Sequence, residues 1–254
     1  MPDRIRQYAS IPGNRPIPSE IPPHEFEIGV HQQIEAHQIQ TAHGPAHLTG
    51  GRRLVVGASA KSRQGVADRQ SGLAAHFRAI AATTDLPVLL YDIPKRTGRK
   101  IDTSTLIELG KDVPNIVGVK DAAADPGQTA IVIDETPADF EVYSGDDPMT
   151  LPLLAVGAVG AIGVATHWCA PDHVAMFDAW DAGDAAGARA HNARQLESYR
   201  FESSDTIPNP LPAKAMLRTL GHAVGEARLP MGPAPAELEN RAREVYDRLV
   251  SSRG

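Results

Sequence analysis

The clearest pattern in the chain is a run of short apolar segments separated by amphipathic stretches. Asn115–Asp121 (NIVGVKD) is the sharpest of them: four of its first five residues after Asn115 are apolar or glycine, and the run ends in Lys120. A short β-branched run of this kind predicts a strand buried on both faces, as in parallel sheets. Upstream, residues 73–84 (LAAHFRAIAATT) carry apolar residues at helical spacing and predict a helix. Residues 86–91 (LPVLLY) predict a strand, followed by the turn segment DIPKRTG. Asp102 or Thr103 is then placed to cap a helix that stops near Gly110.

The alternation continues past Asp121. A helix is expected over 125–135, a strand over 140–144 and a short helix over 148–156. A glycine-rich buried strand is expected over 158–166, and a helix over 171–182 that opens with Pro171 near its start. Three further helices are predicted over 185–199, 210–220 and 235–249, with no strand between them. Repeated βα units followed by helices alone imply a parallel α/β sheet with crossover helices.

The first fifty residues break this texture. They hold Pro2, Pro12, Pro16, Pro18, Pro22, Pro23 and Pro45, and five of the ten histidines: His24, His31, His37, His43 and His47. Proline blocks helix interiors and central strands, so residues 1–50 read as a divergent, partly disordered arm. A short helix over 27–40 and a strand over 26–30 are the only regular elements it suggests. The histidines match no spacing of a known metal site. Residues 53–58 (RLVVGA) predict one more short strand, and residues 61–72 a polar loop. The organisation expected is therefore an arm (1–50), a partial barrel (51–182) and a C-terminal helical region (183–254).

Composition narrows the function classes. With 254 residues, 42% hydrophobic and 22% charged, the chain can bury a sizeable core. A net charge of −6 argues against non-specific nucleic-acid binding. No stretch approaches the ~18 apolar residues of a membrane span, and the first residues lack the apolar core of a signal peptide. The single cysteine, Cys169, allows no internal disulfide, so a cytoplasmic location is expected and the thiol reads as a packing residue.

Candidate chemistry gathers at the predicted strand ends. Tyr91 closes one strand, Lys120 the next, Gly145 follows the third and Ile162 lies in the last. In parallel α/β folds these ends converge on one mouth. A lysine there forms a Schiff base with a keto acid once burial or a nearby charge lowers its pKa. A neighbouring tyrosine hydroxyl can move protons, and Arg96 in the following loop can clamp a carboxylate. The bland alternatives are a lysine reaching solvent, a rim aromatic and a solvated loop charge. Asp146 and Asp147 are candidate metal ligands, or else a polar strand end that caps the next helix. GAVGAIG is no dinucleotide fingerprint, because it lies within a predicted strand and lacks the G-x-G pair.

These segments together resemble the Schiff-base-forming pyruvate aldolases, the family of dihydrodipicolinate synthase and N-acetylneuraminate lyase. The matching stretches are YDIPKRTG (91–98), IVGVKDA (116–122), YSGDD (143–147) and GAVGAIGVATH (157–167). PNPLPAKAMLRTLG (208–221) and RLP (228–230) match more loosely, and the whole covers roughly residues 72–250. The resemblance implies a (β/α)8 barrel with a C-terminal helical extension, here with its last five strands. It implies that Lys120 forms the imine with pyruvate and that Tyr91 relays protons. Arg96 would bind the carboxylate of the second substrate, and the backbones of Gly145 and Ile162 would line the pyruvate pocket. No cofactor or metal is implied beyond the covalent imine, and the partners implied are the substrates and other copies in a homodimer or homotetramer.

An arginine in the RTG loop marks dihydrodipicolinate synthases within the family. The activity implied is therefore condensation of pyruvate with L-aspartate 4-semialdehyde, in lysine and diaminopimelate biosynthesis. The alternatives are an inactive or truncated homologue acting as an assembly partner, and an aldolase for another 2-keto acid. The first draws on two departures. Residues 1–71 contain no Gly-Thr-Thr-Gly-Glu loop, whose threonines bind the pyruvate carboxylate in the family. Residues 55–62 (VVGASAKS) lack the tyrosine of the family's fourth strand. Five strands are also expected to leave two open sheet edges, the first third being a replaced, truncated or misframed version of the family's sequence.

Overall fold

The computed structural model describes residues 32–34, 40–41, 53–57, 70–202 and 204–253. Five parallel strands form its centre: β3 (Arg53–Gly57), β4 (Val88–Asp92), β5 (Ile116–Asp121), β6 (Glu141–Ser144) and β7 (Gly160–Ala161). Between them run α1 (Gln70–Ala81), α2 (Pro94–Thr97), α3 (Thr103–Asp112), α4 (Pro126–Glu135) and α5 (Thr150–Ala155), the last preceded by a 3-10 turn, Asp147–Met149. The helices α6 (Thr166–Asp181), α7 (Ala185–Phe201), α8 (Leu211–Thr219) and α9 (Leu238–Ser251) follow the last strand. The (β/α) alternation and the C-terminal helices are thus as the apolar pattern predicts.

The edges of the sheet differ from expectation. The full order is β1-β3-β4-β5-β6-β7-β2, where β1 (Gln32–Ile34) and β2 (Gln40–Thr41) come from the proline-rich segment. Each pairs antiparallel with one edge of the parallel set, β1 with β3 and β2 with β7. Neither edge of the five-strand set is therefore open, and the helix expected over 27–40 gives way to strand at Gln32–Ile34. The predicted strand over 26–30 lies outside the described residues. QQI and QT carry no strand signal of their own; pairing to an exposed ladder overrides weak local propensity.

This order also dictates curvature. A flat seven-stranded sheet would hold β1 and β2 about 29 Å apart, at about 4.8 Å per strand. Ile34 and Gln40 are six residues apart, a span of at most about 22 Å for a fully extended chain. The sheet must therefore curl towards closure.

Its two faces are apolar for different reasons. Outward, Val88, Leu90, Ile116, Val119 and Val142 pack on Leu73, Phe77 and Ile80 of α1 and on Leu106 and Leu109 of α3. Inward, Leu89, Tyr143 and Ile162 are buried together, with Tyr91, Val117 and Val159 against them. Strict alternation along β5 would set Val117 and Lys120, three apart, on opposite faces. A register shift between Val88 and Leu89, where Gly118 rather than Val117 pairs with Leu89, inserts an extra residue and returns Lys120 to the inner face.

Several local expectations are corrected. Gly110 lies inside α3, which runs on to Asp112, and does not end it. A Cβ there would sit 2.9 Å from the Phe140 ring, so its role is close packing. Asp102 flanks α3 without a side-chain cap. The strand predicted over 158–166 shrinks to Gly160–Ala161, and Thr166 already opens α6, so Pro171 lies inside that helix. The cost is one missing backbone donor, the N–H that would have bonded the His167 carbonyl. Asp125 does cap α4, accepting from Gln128 N.

Candidate active site

The parallel register sets three side chains in a row. Tyr91 of β4 is paired with Lys120 of β5, which is paired with Tyr143 of β6. Lys120 is 7% exposed, and its Nζ lies 4.2 Å from the centre of the Tyr91 ring. Burial pushes the Lys120 ammonium down to about 8, opposed by the attraction of Asp147 and assisted by the repulsion of Arg96. Burial pushes the Tyr91 phenol up to about 12, Arg96 acting against it. The third member is fixed: the Tyr143 hydroxyl donates to Glu141 Oε2 at 2.7 Å, deeper on the inner face.

Each group is held by its neighbours. The Asp92 carboxylate, 1% exposed, accepts from Lys100 Nζ at 2.9 Å and from Ile101 N at 3.0 Å. That ties the loop carrying Arg96 back to the end of β4. Asp121 accepts from Thr129 Oγ1 at 2.6 Å and Ala123 N at 2.9 Å, which pins the end of β5. Gly145 is a packing requirement: a Cβ there would meet Lys120 Cγ at 2.8 Å and Cε at 3.0 Å. Its N–H bonds Asp121 O, while Ile162 N bonds Ser144 O, so the backbones at 145 and 162 stitch neighbouring strand ends together. Arg96 is exposed and reaches across to the Asn209 carbonyl at 3.4 Å. The five residues singled out in the sequence are thus brought to one end of the sheet, with Arg96 at its rim.

Sequence reasoning missed a buried polar cluster beside this row. Asp147 is 1% exposed and caps nothing; its Oδ2 accepts from Val164 N at 2.7 Å. That contact corrects the helix-cap expectation. His173 of α6 is fully buried, and its Nε2 lies 3.5 Å from Asp147 Oδ1. Burial lowers the His173 pKa, which keeps the ring neutral. Glu202, at the end of α7, accepts from Ala165 N at 3.2 Å and faces Asp147. Burial first, and the Asp147 charge second, drive the Glu202 carboxyl well above the usual range, so it is the protonated member of the pair. Among the described residues no group of His, Cys, Asp and Glu has the arrangement of a metal site. Also among them, no helix is long and apolar enough to cross a membrane.

A curled parallel sheet flanked by helices, with a buried lysine at a strand end, has the architecture of an α/β barrel protein. Comparison with known proteins gives the family. The dihydrodipicolinate synthetase family pattern matches residues 66–248, and the chain belongs to that family. It is 45% identical over 176 residues to the 4-hydroxy-tetrahydrodipicolinate synthase of Symbiobacterium thermophilum, covering 69% of this chain and 59% of that protein. With the Bacillus subtilis enzyme of the same name it shares 42% over 166 residues, 65% of this chain and 56% of the other. Among solved structures, dihydrodipicolinate synthase from Bacillus anthracis superposes with a TM-score of 0.70 at 34% identity, covering 77% of this chain and 64% of that one. The Cyanidioschyzon merolae enzyme with lysine bound gives 0.69 at 39% identity, covering 72% and 62%. The chain spans about three fifths of the length of the curated relatives it matches.

Proposed function

We propose that this chain is a pyruvate aldolase in which Lys120 is the Schiff-base nucleophile. The observation that carries this is a buried lysine, its ammonium pushed down to about 8, in register with a tyrosine on the neighbouring strand. At pH 7 such an amine is neutral to the order of 10%, against about 0.03% for an exposed lysine. The neutral amine attacks the keto carbon of pyruvate; the carbinolamine takes up a proton and loses water, leaving a protonated imine. Loss of a methyl proton from pyruvate C3 gives the enamine carbon nucleophile. Tyr91, a neutral phenol whose ring lies against the Lys120 amine, is the group assigned to carry protons for these steps.

The second substrate is read from Arg96 and from the relatives' name. A guanidinium at the rim suits the carboxylate of L-aspartate 4-semialdehyde, whose aldehyde carbon accepts the enamine. Its own amine then attacks the imine carbon and releases Lys120, closing the ring of 4-hydroxy-tetrahydrodipicolinate. Gly145 and Ile162 line the pyruvate pocket through their backbones, and the imine needs no cofactor or metal. A homodimer or homotetramer is the expected assembly. Turnover of pyruvate with the semialdehyde, lost in Lys120→Ala, is the test; a Lys120→Ala variant with unchanged turnover contradicts the reading.

A second reading is supported by β1 and β2, from the proline-rich segment, occupying both edges of the parallel set. In that reading the chain forms the imine without completing the condensation, or serves only as an assembly partner. Stoichiometric adduct without turnover is its signature.

A further inference from the structure

The proposed imine creates an electrostatic requirement of its own. A protonated imine is a fixed positive charge inside the sheet mouth, where an unpaired cation is strongly disfavoured. Tyr91 offers a ring face but no charge, and Arg96 adds repulsion. The anion must come from another side.

We propose that Asp147, facing Glu202, is the buried counter-ion of the Lys120 imine and a positioning residue for its formation. This rests on the imine reading given above. Asp147 lies two residues past Gly145, whose Cα is packed directly on the Lys120 side chain. Its carboxylate is pressed against the Gly163 backbone, where a Cβ would collide with both oxygens. One oxygen is anchored by Val164 N, while the other, Oδ1, has no hydrogen bond among the described residues. His173 Nε2, 3.5 Å away and fully buried, is likewise unpartnered among them. The carboxylate is therefore held in place by Val164 N and the facing Glu202 carboxyl, with no lysine or arginine paired to it among the described residues.

Glu202 sets the charge of the pair to one. Two facing carboxyls in a dry site cannot both ionise, so one proton is shared between them. The charged groups acting on Lys120 are Asp147 and Arg96, together with the Tyr91 ring, and Glu202 is a neutral acid beside them. Those around the pair are Asp146 on the same turn, Cys169, Asp172 and His173 of α6 and Tyr199 of α7. The thiol and phenol are pushed up by burial and stay neutral, and Asp172 is already paired with Arg253 at 2.7 Å.

The test reads the pH at which Lys120 becomes nucleophilic, which a purely structural role would not move. Wild type, Glu202→Gln and the double variant Asp147→Asn/Glu202→Gln are incubated with pyruvate and borohydride across pH, and the adduct on Lys120 is measured. The Asp147→Asn change keeps an oxygen for Val164 N, and circular dichroism checks folding. Glu202→Gln leaves the Asp147 charge and should keep the midpoint. The double variant removes the anion and should lower the midpoint by about one pH unit or more. A folded double variant with the wild-type midpoint overturns the proposal, as does a Glu202→Gln midpoint equal to that of the double. Competitive acetylation of Lys120 with acetic anhydride gives the same midpoints without pyruvate. It decides the counter-ion proposal even where no pyruvate adduct forms, an outcome that would count only against the imine.

Discussion

Lys120 and Tyr91 occupy matched positions on adjacent parallel strands, with the lysine nitrogen 4.2 Å from the centre of the tyrosine ring. The contact places a basic amine and a weak acid side by side at the strand ends, each favoured by burial in its neutral form. From it follows a pH dependence. A lysine lowered to about 8 gains nucleophilicity as pH rises through 8, not through its ordinary 10.5. The initial rate of pyruvate adduct formation should therefore climb about tenfold between pH 6 and 7 and level off above about 9. Rates still climbing steeply between pH 9.5 and 10.5 would show an unperturbed amine.

Gly145→Ala should damage the site more than the fold. The added carbon would press on Lys120 Cγ and Cε, and overpacking of this kind costs about 1–3 kcal/mol. Adduct formation should fall at least about tenfold because the amine is displaced. Gly72→Ala is the contrast, since nothing lies within 4 Å of its added carbon and it sits in α1. That variant should stabilise the fold by about 0.5–1 kcal/mol in chemical unfolding, with adduct formation unchanged.

Thr129→Val should weaken the end of β5. It removes the 2.6 Å donor to the buried Asp121 carboxylate at nearly constant volume. An unsatisfied buried acceptor costs about 1–3 kcal/mol, or roughly 2–12 °C in Tm for a chain of this size. Thr103→Val, which loses a 2.6 Å contact to Gln128 in a half-buried position, should lower Tm less.

Glu202→Gln should change the pH dependence of stability. The Glu202 carboxyl is raised in the folded chain from an ordinary value of 4.5, so below 4.5 both folded and unfolded chains hold the proton. As pH rises from 4.5 towards the raised value, the unfolded chain releases its proton while the folded chain keeps it. Stability from this group therefore falls with pH, by at most ~1.4 kcal/mol per unit. Glutamine removes that slope and keeps an oxygen for Ala165 N. The Tm advantage of the variant over wild type should be small near pH 4 and grow towards pH 7. A constant difference across that range would contradict the assignment of the proton to Glu202.

The order of strands and helices from Gln70 onward was legible because apolar runs and amphipathic stretches alternate cleanly, and Lys120 stood out as a charge closing a buried run. The tertiary features were not. The bulge that turns Lys120 inward leaves only Gly118 as a local trace, a residue that also marks close packing. The pairing of β1 and β2 with the sheet edges has no signal in QQI or QT, since it depends on ladders distant in sequence. The cluster of Asp147, His173 and Glu202 joins one turn to two helices, so no spacing announces it. Asp147 was visible only as an acidic pair with Asp146, and its contact with Val164 N appears once the chain has folded.

The most direct measurement is mass spectrometry of the chain after incubation with pyruvate and borohydride, with the modified peptide sequenced. One reduced pyruvate on Lys120, absent in Lys120→Ala, is the result expected. Folded protein that carries no adduct, or carries it on another lysine, would contradict the assignment of Lys120 as the nucleophile.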